Sequence, residues 1–353
     1  MQQAVDRERA RAFATQLFGY YKGAILSYLV KVGYRTGLFE AAARGPATSQ
    51  ALAERAGLEE RYVREWLGAM VTGGLFDYEA ATRTYTLPPE HAACLTGGRA
   101  LNVAPSSVVV AHLGTHLADT ERVFREGGGV PYGVFRPEFT AAMDDSWRRI
   151  YDELLVDGFL AATPGICERL ERGARVADVG CGTGHAINLM ARAYPRSTFV
   201  GYDLAEDAIT RARAEANEMG LANASFVVLD VTQLPAEPAL DLITAFDSIH
   251  DQVDPAAVLR RVGEALAPDG TFLMIDFKFS SNLEDNIANP FAPFYYGTSL
   301  LHCMTVSLAE GGAGLGAVWG EQLARRMLAE AGFTSVVVLD SPRPQNCIYV
   351  CRK

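Results

Sequence analysis

Apolar residues follow two rhythms along this chain, and the change from one to the other divides it. Residues 10–43 repeat at helical spacing and are rich in aromatics, with Phe13, Phe18, Tyr21, Ile25 and Tyr28 spread over more than one stripe. An apolar surface that broad predicts burial on several sides, and packing against a second copy would supply it. Thr48 and Ser49 predict the cap of a helix through Arg55, which Gly57 ends; residues 59–71 restart with Tyr62, Val63, Trp66, Leu67 and Met70 at helical spacing. Two short strand-like pieces follow at 75–78 and 84–87. Helix, turn, helix and hairpin in that order predict a winged helix.

Residues 104–162 carry two further helical stretches, separated by Gly127-Gly128-Gly129-Val130-Pro131-Tyr132-Gly133, a composition that predicts a hinge or gate. After Pro164-Gly165 the rhythm alternates. Strand patterns at 175–179, 198–202, 225–230, 240–246 and 271–277 are separated by helical ones, which predicts a parallel, right-handed, Rossmann-like α/β sheet. A helix at 320–331, then strands at 334–339 and 346–351, predict an antiparallel edge hairpin that brings the sheet to seven strands. The expected organisation is a helical and winged-helix domain at 1–100, a helical linker or lid at 101–164, and an α/β domain at 165–353. Residues 280–319 form an insertion too long for a plain connection, with Gly311 to Gly316 lending it mobility.

Charge narrows the partners. The net charge is −10, and the helix that would enter a DNA groove opens Glu59-Glu60-Arg61-Tyr62-Val63-Arg64-Glu65. Phosphate binding needs concentrated Lys and Arg, so a dimerisation or lid role for the winged helix is expected rather than nucleic-acid binding. Six cysteines lie scattered without a Cys-x-x-Cys pair, which suits reduced thiols better than disulfides or a zinc site. The polar N-terminus lacks the apolar core of a signal peptide and no segment is long and apolar enough to span a membrane, so a cytoplasmic protein is expected.

The chemistry concentrates around Ala177-Asp178-Val179-Gly180-Cys181-Gly182-Thr183-Gly184-His185, a strand end opening into a helix. Gly180 and Gly182 let the backbone run close under a ligand, and the helix N-terminus offers free N–H groups. The dinucleotide fingerprint would place its third glycine at position 185, whereas here Gly184 comes one residue early. Asp203 ends the next strand, 23 positions after Gly180, where a carboxylate accepts ribose hydroxyls or caps the following helix. Asp230 ends the third strand. The fourth ends Phe246-Asp247-Ser248-Ile249-His250, at the edge where open α/β sheets bind ligands.

Through Asp178 to Gly184, Asp203, Asp230 and Phe246 to His250, residues 165–353 resemble the class I S-adenosylmethionine (SAM) dependent methyltransferases. With the winged-helix front, the whole chain resembles actinobacterial small-molecule methyltransferases. The resemblance implies SAM as methyl donor, with Asp178 near the methionyl amino group, Asp203 at the ribose, and Asp230 and Val231 at the adenine. Gly180, Cys181, Gly182, Leu204, Phe246 and Asp247 complete the implied cofactor site. It also implies a homodimer and no metal. His250 aligns with the His-Asp-Trp element of phenolic O-methyltransferases, whose histidine removes the acceptor proton, although Gln252 replaces the tryptophan.

A phenol ionises near pH 10, so a base of ordinary histidine pKa could accelerate its methylation by roughly 10²–10⁴-fold. Amine, thiolate or carboxylate acceptors need less help, and His250 as base or as pocket wall are both open. Tyr132, Met143, Tyr295, Tyr296 and His302 are the candidate acceptor walls, an aromatic lining suited to a flat, aromatic or quinone-like molecule methylated on oxygen. Two alternatives stand beside that reading: a methyltransferase fold with non-methylating chemistry, and a SAM-sensing winged-helix regulator.

Overall fold

The computed structural model describes residues 5–353, and the chain forms two compact units that divide between Gly114 and Thr115.

In the first unit α1 (Arg7–Arg35) starts where the Asp6 carboxylate accepts from the N–H groups of Glu8 and Arg9. The single helix expected over 10–43 is broken: Gly37 takes φ 73°, and a short α2 (Leu38–Ala42) restarts beyond it. The break lets Phe39 pack edge-on against Trp66 at 5.3 Å. Helices α3 (Ser49–Ala56) and α4 (Glu60–Thr72), the hairpin β1 (Asp77–Glu79) and β2 (Thr84–Thr86), and then α5 (Pro89–Leu95) and α6 (Ser106–Leu113) complete the unit. Its core gathers Phe39, Leu52, Trp66, Leu67, Met70 and Phe76. Gly33 is where α1 meets that core, since a Cβ there would lie 2.5 Å from the Trp66 ring. Leu26, Leu29, Val30 and Tyr34 pack against the same core, and the helix ahead of them is largely open. Phe13, Phe18, Tyr21 and Ile25 are each more than half exposed.

The second unit opens with α7 (Leu117–Glu126), α8 (Tyr132–Phe135) and α9 (Glu138–Leu154), which runs through a π-helical turn (Leu155–Leu160) towards α10 (Ile166–Arg172). The sequence pattern resolved two helical stretches across 104–162; the chain forms more, because Gly114 and Pro131 interrupt the periodicity. Then come β3 (Arg175–Val179), α11 (His185–Ala193), β4 (Thr198–Asp203), α12 (Glu206–Glu218), β5 (Ala224–Val228), β6 (Leu240–Phe246), α13 (Pro255–Ala265) and β7 (Leu266–Phe277). The insertion carries α14 (Leu283–Asn286), α15 (Ala292–Thr298), a π-helical turn (Ser299–Cys303) and α16 (Met304–Ala309) before α17 (Glu321–Glu330), β8 (Ser335–Asp340) and β9 (Asn346–Arg352).

The strands form one seven-stranded sheet in the order β5-β4-β3-β6-β7-β9-β8, parallel except where β9 runs against both β7 and β8. The order reverses between β3 and β6, so the crevice beyond their carboxyl ends is the switch point where ligands of such sheets bind. Buried on the sheet are Ala177, Ile243, Phe272, Met274 and Tyr349 among others. Cys347 and Cys351 are buried in β9, as packing residues. No helix among the described residues is long and apolar enough to cross a membrane.

Both glycine-rich segments differ from expectation. At Gly129 a Cβ would lie 1.9 Å from the Thr305 carbonyl, and the Val130 N–H donates to Thr305 Oγ1 at 2.9 Å. At Gly312 and Gly316 a Cβ would come within 2.6 Å of Ser307 Oγ and 2.2 Å of Ser299 Oγ, while those hydroxyls accept from the N–H groups of Gly314 and Ala317. These glycines serve close backbone approach rather than mobility.

Candidate active site

The turn after β3 is built by what a side chain would strike. Gly180 and Gly184 both hold φ near +73°; a Cβ on the first would lie 2.6 Å from Ser248, and on the second 2.4 Å from Phe226. Gly184 therefore performs the helix-to-strand packing of the dinucleotide fingerprint one residue early, and His185 begins α11. A Cβ on Gly182 would meet nothing within 4 Å, so that face of the turn is open. Asp203 braces the turn: Oδ2 accepts from the Gly182 N–H at 2.8 Å and Oδ1 from the Ala205 N–H at 2.9 Å. Each oxygen retains a lone pair. Burial raises the Asp203 pKa against those two hydrogen bonds.

Asp178 is buried within β3, where the Thr244 hydroxyl donates to Oδ1 at 2.6 Å. Burial raises its pKa to about 7, assisted by Asp203 and opposed by Thr244. Cys181 lies beside these two carboxylates, and burial raises its thiol well above the ordinary value. Asp230 lies on the surface just past β5, its Oδ1 accepting from the Thr232 N–H at 2.9 Å, with Val231 buried behind it and Leu204 exposed.

At the end of β6, Phe246 faces Tyr151 at 5.4 Å, and Asp247 adopts φ +47°, turning the chain towards Ser248 and His250. Asp247 Oδ1 accepts from Asn346 Nδ2 at 3.0 Å, while Oδ2 is buried without a hydrogen-bond partner. Burial, then the nearby Asp276 charge, raises the Asp247 pKa well above the carboxylate range. Gln252 fills the position of the aromatic in the resembling motif. Its Nε2 donates to the Ser248 carbonyl and its own carbonyl accepts from Ser307 Oγ, tying the β6 turn to α16.

His250 is fully enclosed. Its Nδ1–H donates to Asp276 on β7, 2.9 Å from Oδ1 and 3.1 Å from Oδ2, which leaves Nε2 for chemistry. Asp276 also accepts from Trp319 Nε1 at 3.2 Å and from the Phe277 N–H at 2.7 Å. Nε2 lies 3.3 Å from Asp251 Oδ1, and the His250 and Asp251 side chains both make hydrogen-bond contact with Cys303. Burial alone would lower the histidine pKa, but the Asp276 and Asp251 carboxylates outweigh it and raise it well above the usual range. Burial pushes the Cys303 thiol up to about 12, so it stays protonated. Asp276 and Cys303 were not among the residues singled out from the sequence.

The candidate wall residues divide. Tyr132 and His302 join one cluster, in which His302 stacks on Phe139 at 3.6 Å and meets Tyr132 edge-on at 5.8 Å. Burial raises the Tyr132 pKa, opposed by the hydrogen bond its hydroxyl shares with Thr140 Oγ1 at 3.2 Å, and the Asp203 and Asp251 charges add to the rise. Tyr295 joins another, 4.6 Å from Phe277, whose ring is 5.5 Å from His250. Tyr296 accepts from Asn286 Nδ2 at 3.1 Å, fastening the insertion, and Met143 is half-buried on α9.

Helix α9 also reaches the glycine turn. Asp144 accepts from Thr183 Oγ1 in the turn and from Arg211 at 2.8 Å, and His185 lies between Asp152 at 3.0 Å and Glu215 at 2.8 Å.

An open sheet with this strand order, a glycine turn at its switch point and carboxylates at successive strand ends defines a nucleoside-binding α/β protein of the methyltransferase class. Comparison with known proteins places the chain within it. Residues 24–97 match the Rv2258c-like winged HTH domain and residues 170–332 a methyltransferase domain. The acetylserotonin O-methyltransferase of Mus musculus is 31% identical over 287 residues, covering 72% of this chain and 70% of the mouse protein. In fold, the chain matches human N-acetylserotonin methyltransferase in complex with SAM (TM-score 0.68, 18% identity, 100% and 99% of the two chains). It also matches mitomycin 7-O-methyltransferase (TM-score 0.70, 20% identity, 98% and 99%). The chain belongs to the class I SAM-dependent methyltransferases, with a winged-helix domain ahead of the catalytic sheet.

Proposed function

We propose that this methyltransferase acts on an oxygen of a small aromatic or quinone-like acceptor, with His250 as general base and Asp276 as its positioning residue. The observation that carries the reading is the buried His250–Asp276 pair. A carboxylate on Nδ1 fixes the ring with Nε2 as the nitrogen that exchanges protons, and it stabilises the imidazolium; Nε2 takes the acceptor's proton from the fraction of enzyme in which it has first given up its own. Such a device repays an acceptor that must lose a proton, which a phenolic hydroxyl does. The mouse relative's name, with methylation on oxygen, supports the same choice.

The residues present fit the donor. The open face at Gly182, the buried Asp178 carboxyl and the unpartnered Asp247 Oδ2 offer space and acceptors where a nucleoside with a cationic amino-acid tail would lie. When bound, SAM supplies an electrophilic methyl on a sulfonium whose charge is lost as the methyl moves in line to the acceptor. In this reading Asp203 and Leu204 hold the ribose end, Asp230 and Val231 the adenine, and Asp178 the amino group. Gly180, Cys181 and Gly182 form the floor, and Phe246 and Asp247 the wall beside the sulfur. Tyr132, His302 and Tyr295 orient the acceptor, with Met143 and Tyr296 at its margin, and residues 280–319 exclude water. Alignment and water exclusion supply much of the acceleration.

We further infer a homodimer, formed through the exposed aromatic face of α1, and residence in the cytoplasm, which suits six free cysteines. The winged helix serves that assembly rather than DNA. Incubation with methyl-labelled SAM and a panel of phenols, thiols and amines tests the function: label in phenolic products is expected, and label confined to amines or thiols refutes the assignment.

A further inference from the structure

His250 Nε2, Asp251 Oδ1 and Cys303 Sγ converge on one point. The three donor atoms lie within 4.8 Å of one another, and His250 and Cys303 are buried. They supply nitrogen, oxygen and sulfur, the set that zinc-type cations take in sites with three protein ligands and one open position. Tetrahedral bonds of about 2.0–2.3 Å put such donors roughly 3.3–3.8 Å apart, so the 3.3 Å between Nε2 and Asp251 Oδ1 already suits them. A small inward shift of Cys303 completes the set.

Two further observations point to a cation. The Asp251 carboxylate reaches both other members of the set: Oδ1, buried and otherwise unpaired, lies 3.3 Å from His250 Nε2, and the carboxylate makes a side-chain hydrogen bond with the Cys303 thiol, whose proton a cation would replace. Behind the histidine, Asp276 accepts from Nδ1 and is itself held by Trp319 and Phe277. This carboxylate-to-histidine arrangement orients zinc-bound imidazoles and raises their basicity.

We propose that His250, Asp251 and Cys303 form a binding site for a thiophilic divalent cation of the zinc type, which inhibits the enzyme by capping the nitrogen that would accept the acceptor's proton. The cation is not a cofactor here: it occupies Nε2. On binding, Cys303 gives up its thiol proton to solvent and bonds as thiolate, and any proton on Nε2 leaves likewise.

Inhibition rests on the functional reading above, but binding does not, and the two are measured separately. Titration of the full-length, metal-free protein with Co²⁺ is expected to yield one equivalent bound, with intense visible absorption of a tetrahedral site and a near-UV thiolate charge-transfer band, both abolished by one equivalent of Zn²⁺. Cys303→Ser should remove the charge-transfer band, and Asp251→Asn, at a half-exposed residue, should weaken cobalt binding at least tenfold. No stoichiometric absorption from the wild type overturns the proposal, as does a charge-transfer band unchanged in Cys303→Ser. Should Cys303→Ser not fold, unchanged cobalt affinity in Asp251→Asn overturns it instead. Zn²⁺ should also inhibit methyl transfer in competition with acceptor and not with SAM. Absence of methyl transfer altogether would refute the functional reading and leave the spectra to decide the site.

Discussion

The His250 imidazole and the Asp276 carboxylate meet through a bifurcated contact, with Nδ1 2.9 Å from one oxygen and 3.1 Å from the other. Neither residue is open to solvent. A buried carboxylate held by Trp319 and the Phe277 N–H has little freedom to move, so it fixes which histidine nitrogen faces the crevice. Replacement of Asp276 by Asn should lower kcat by roughly 10²-fold, the low end of what a positioned base supplies, with SAM affinity retained. The loss should shrink for acceptors whose hydroxyl is already acidic. An equal loss across acceptors of different acidity would show that Asp276 only supports the fold.

Asp203→Ala removes the acceptor for two backbone N–H groups as well as the proposed ribose contact. Calorimetry is expected to show SAM affinity reduced by about 100-fold or more, the worth of two lost charge-assisted hydrogen bonds. Unchanged affinity in a folded variant would remove Asp203 from the cofactor site.

Asp178 gives SAM binding its pH dependence. With its pKa raised to about 7 by burial, the carboxyl is largely neutral below that pH and ionised above it. A cationic amino group binds the ionised form, so SAM affinity should increase as pH rises through 7, by up to about tenfold per unit on the acid side. Asp178→Asn should flatten the profile and weaken binding; a profile of unchanged slope in that variant would separate Asp178 from the amino group.

Glu215 governs acid stability. Burial raises its pKa, but His185, Arg148 and Asn188 outweigh it and hold the carboxyl down at about 2. Its folded pKa is depressed, so its contribution is present above the usual glutamate range and is lost as pH falls from about 4.5 towards 2. Glu215→Gln should lower the melting temperature at neutral pH and flatten the acid limb of a melting-temperature profile. An acid limb as steep as wild type would show that the α9-to-α12 ion network does not contribute to acid stability.

Much of the catalytic sheet was legible in the chain because alternating apolar strands and helices leave strong periodic signals, and Gly180, Asp203 and His250 stand at their ends. Asp276 was not. A carboxylate inside the apolar strand Phe272–Phe277 carries no spacing motif, and its partner lies 26 residues away through the β6–β7 register. Its one signal was the presence of an acid in an otherwise apolar run. Cys303 lies in a π-helical turn whose facing no regular period reveals. Gly129, Gly312 and Gly316 misled in the opposite sense, since glycine marks close approach as often as freedom, and only neighbours distant in sequence decide which.

The central claim, that His250 takes the acceptor's proton, is tested most directly by the single-turnover rate of His250→Ala with saturating SAM and a phenolic acceptor. A loss of about 10²-fold or more, with SAM affinity unchanged, is the predicted result. A rate within about threefold of wild type would contradict it, because a lost general base costs far more.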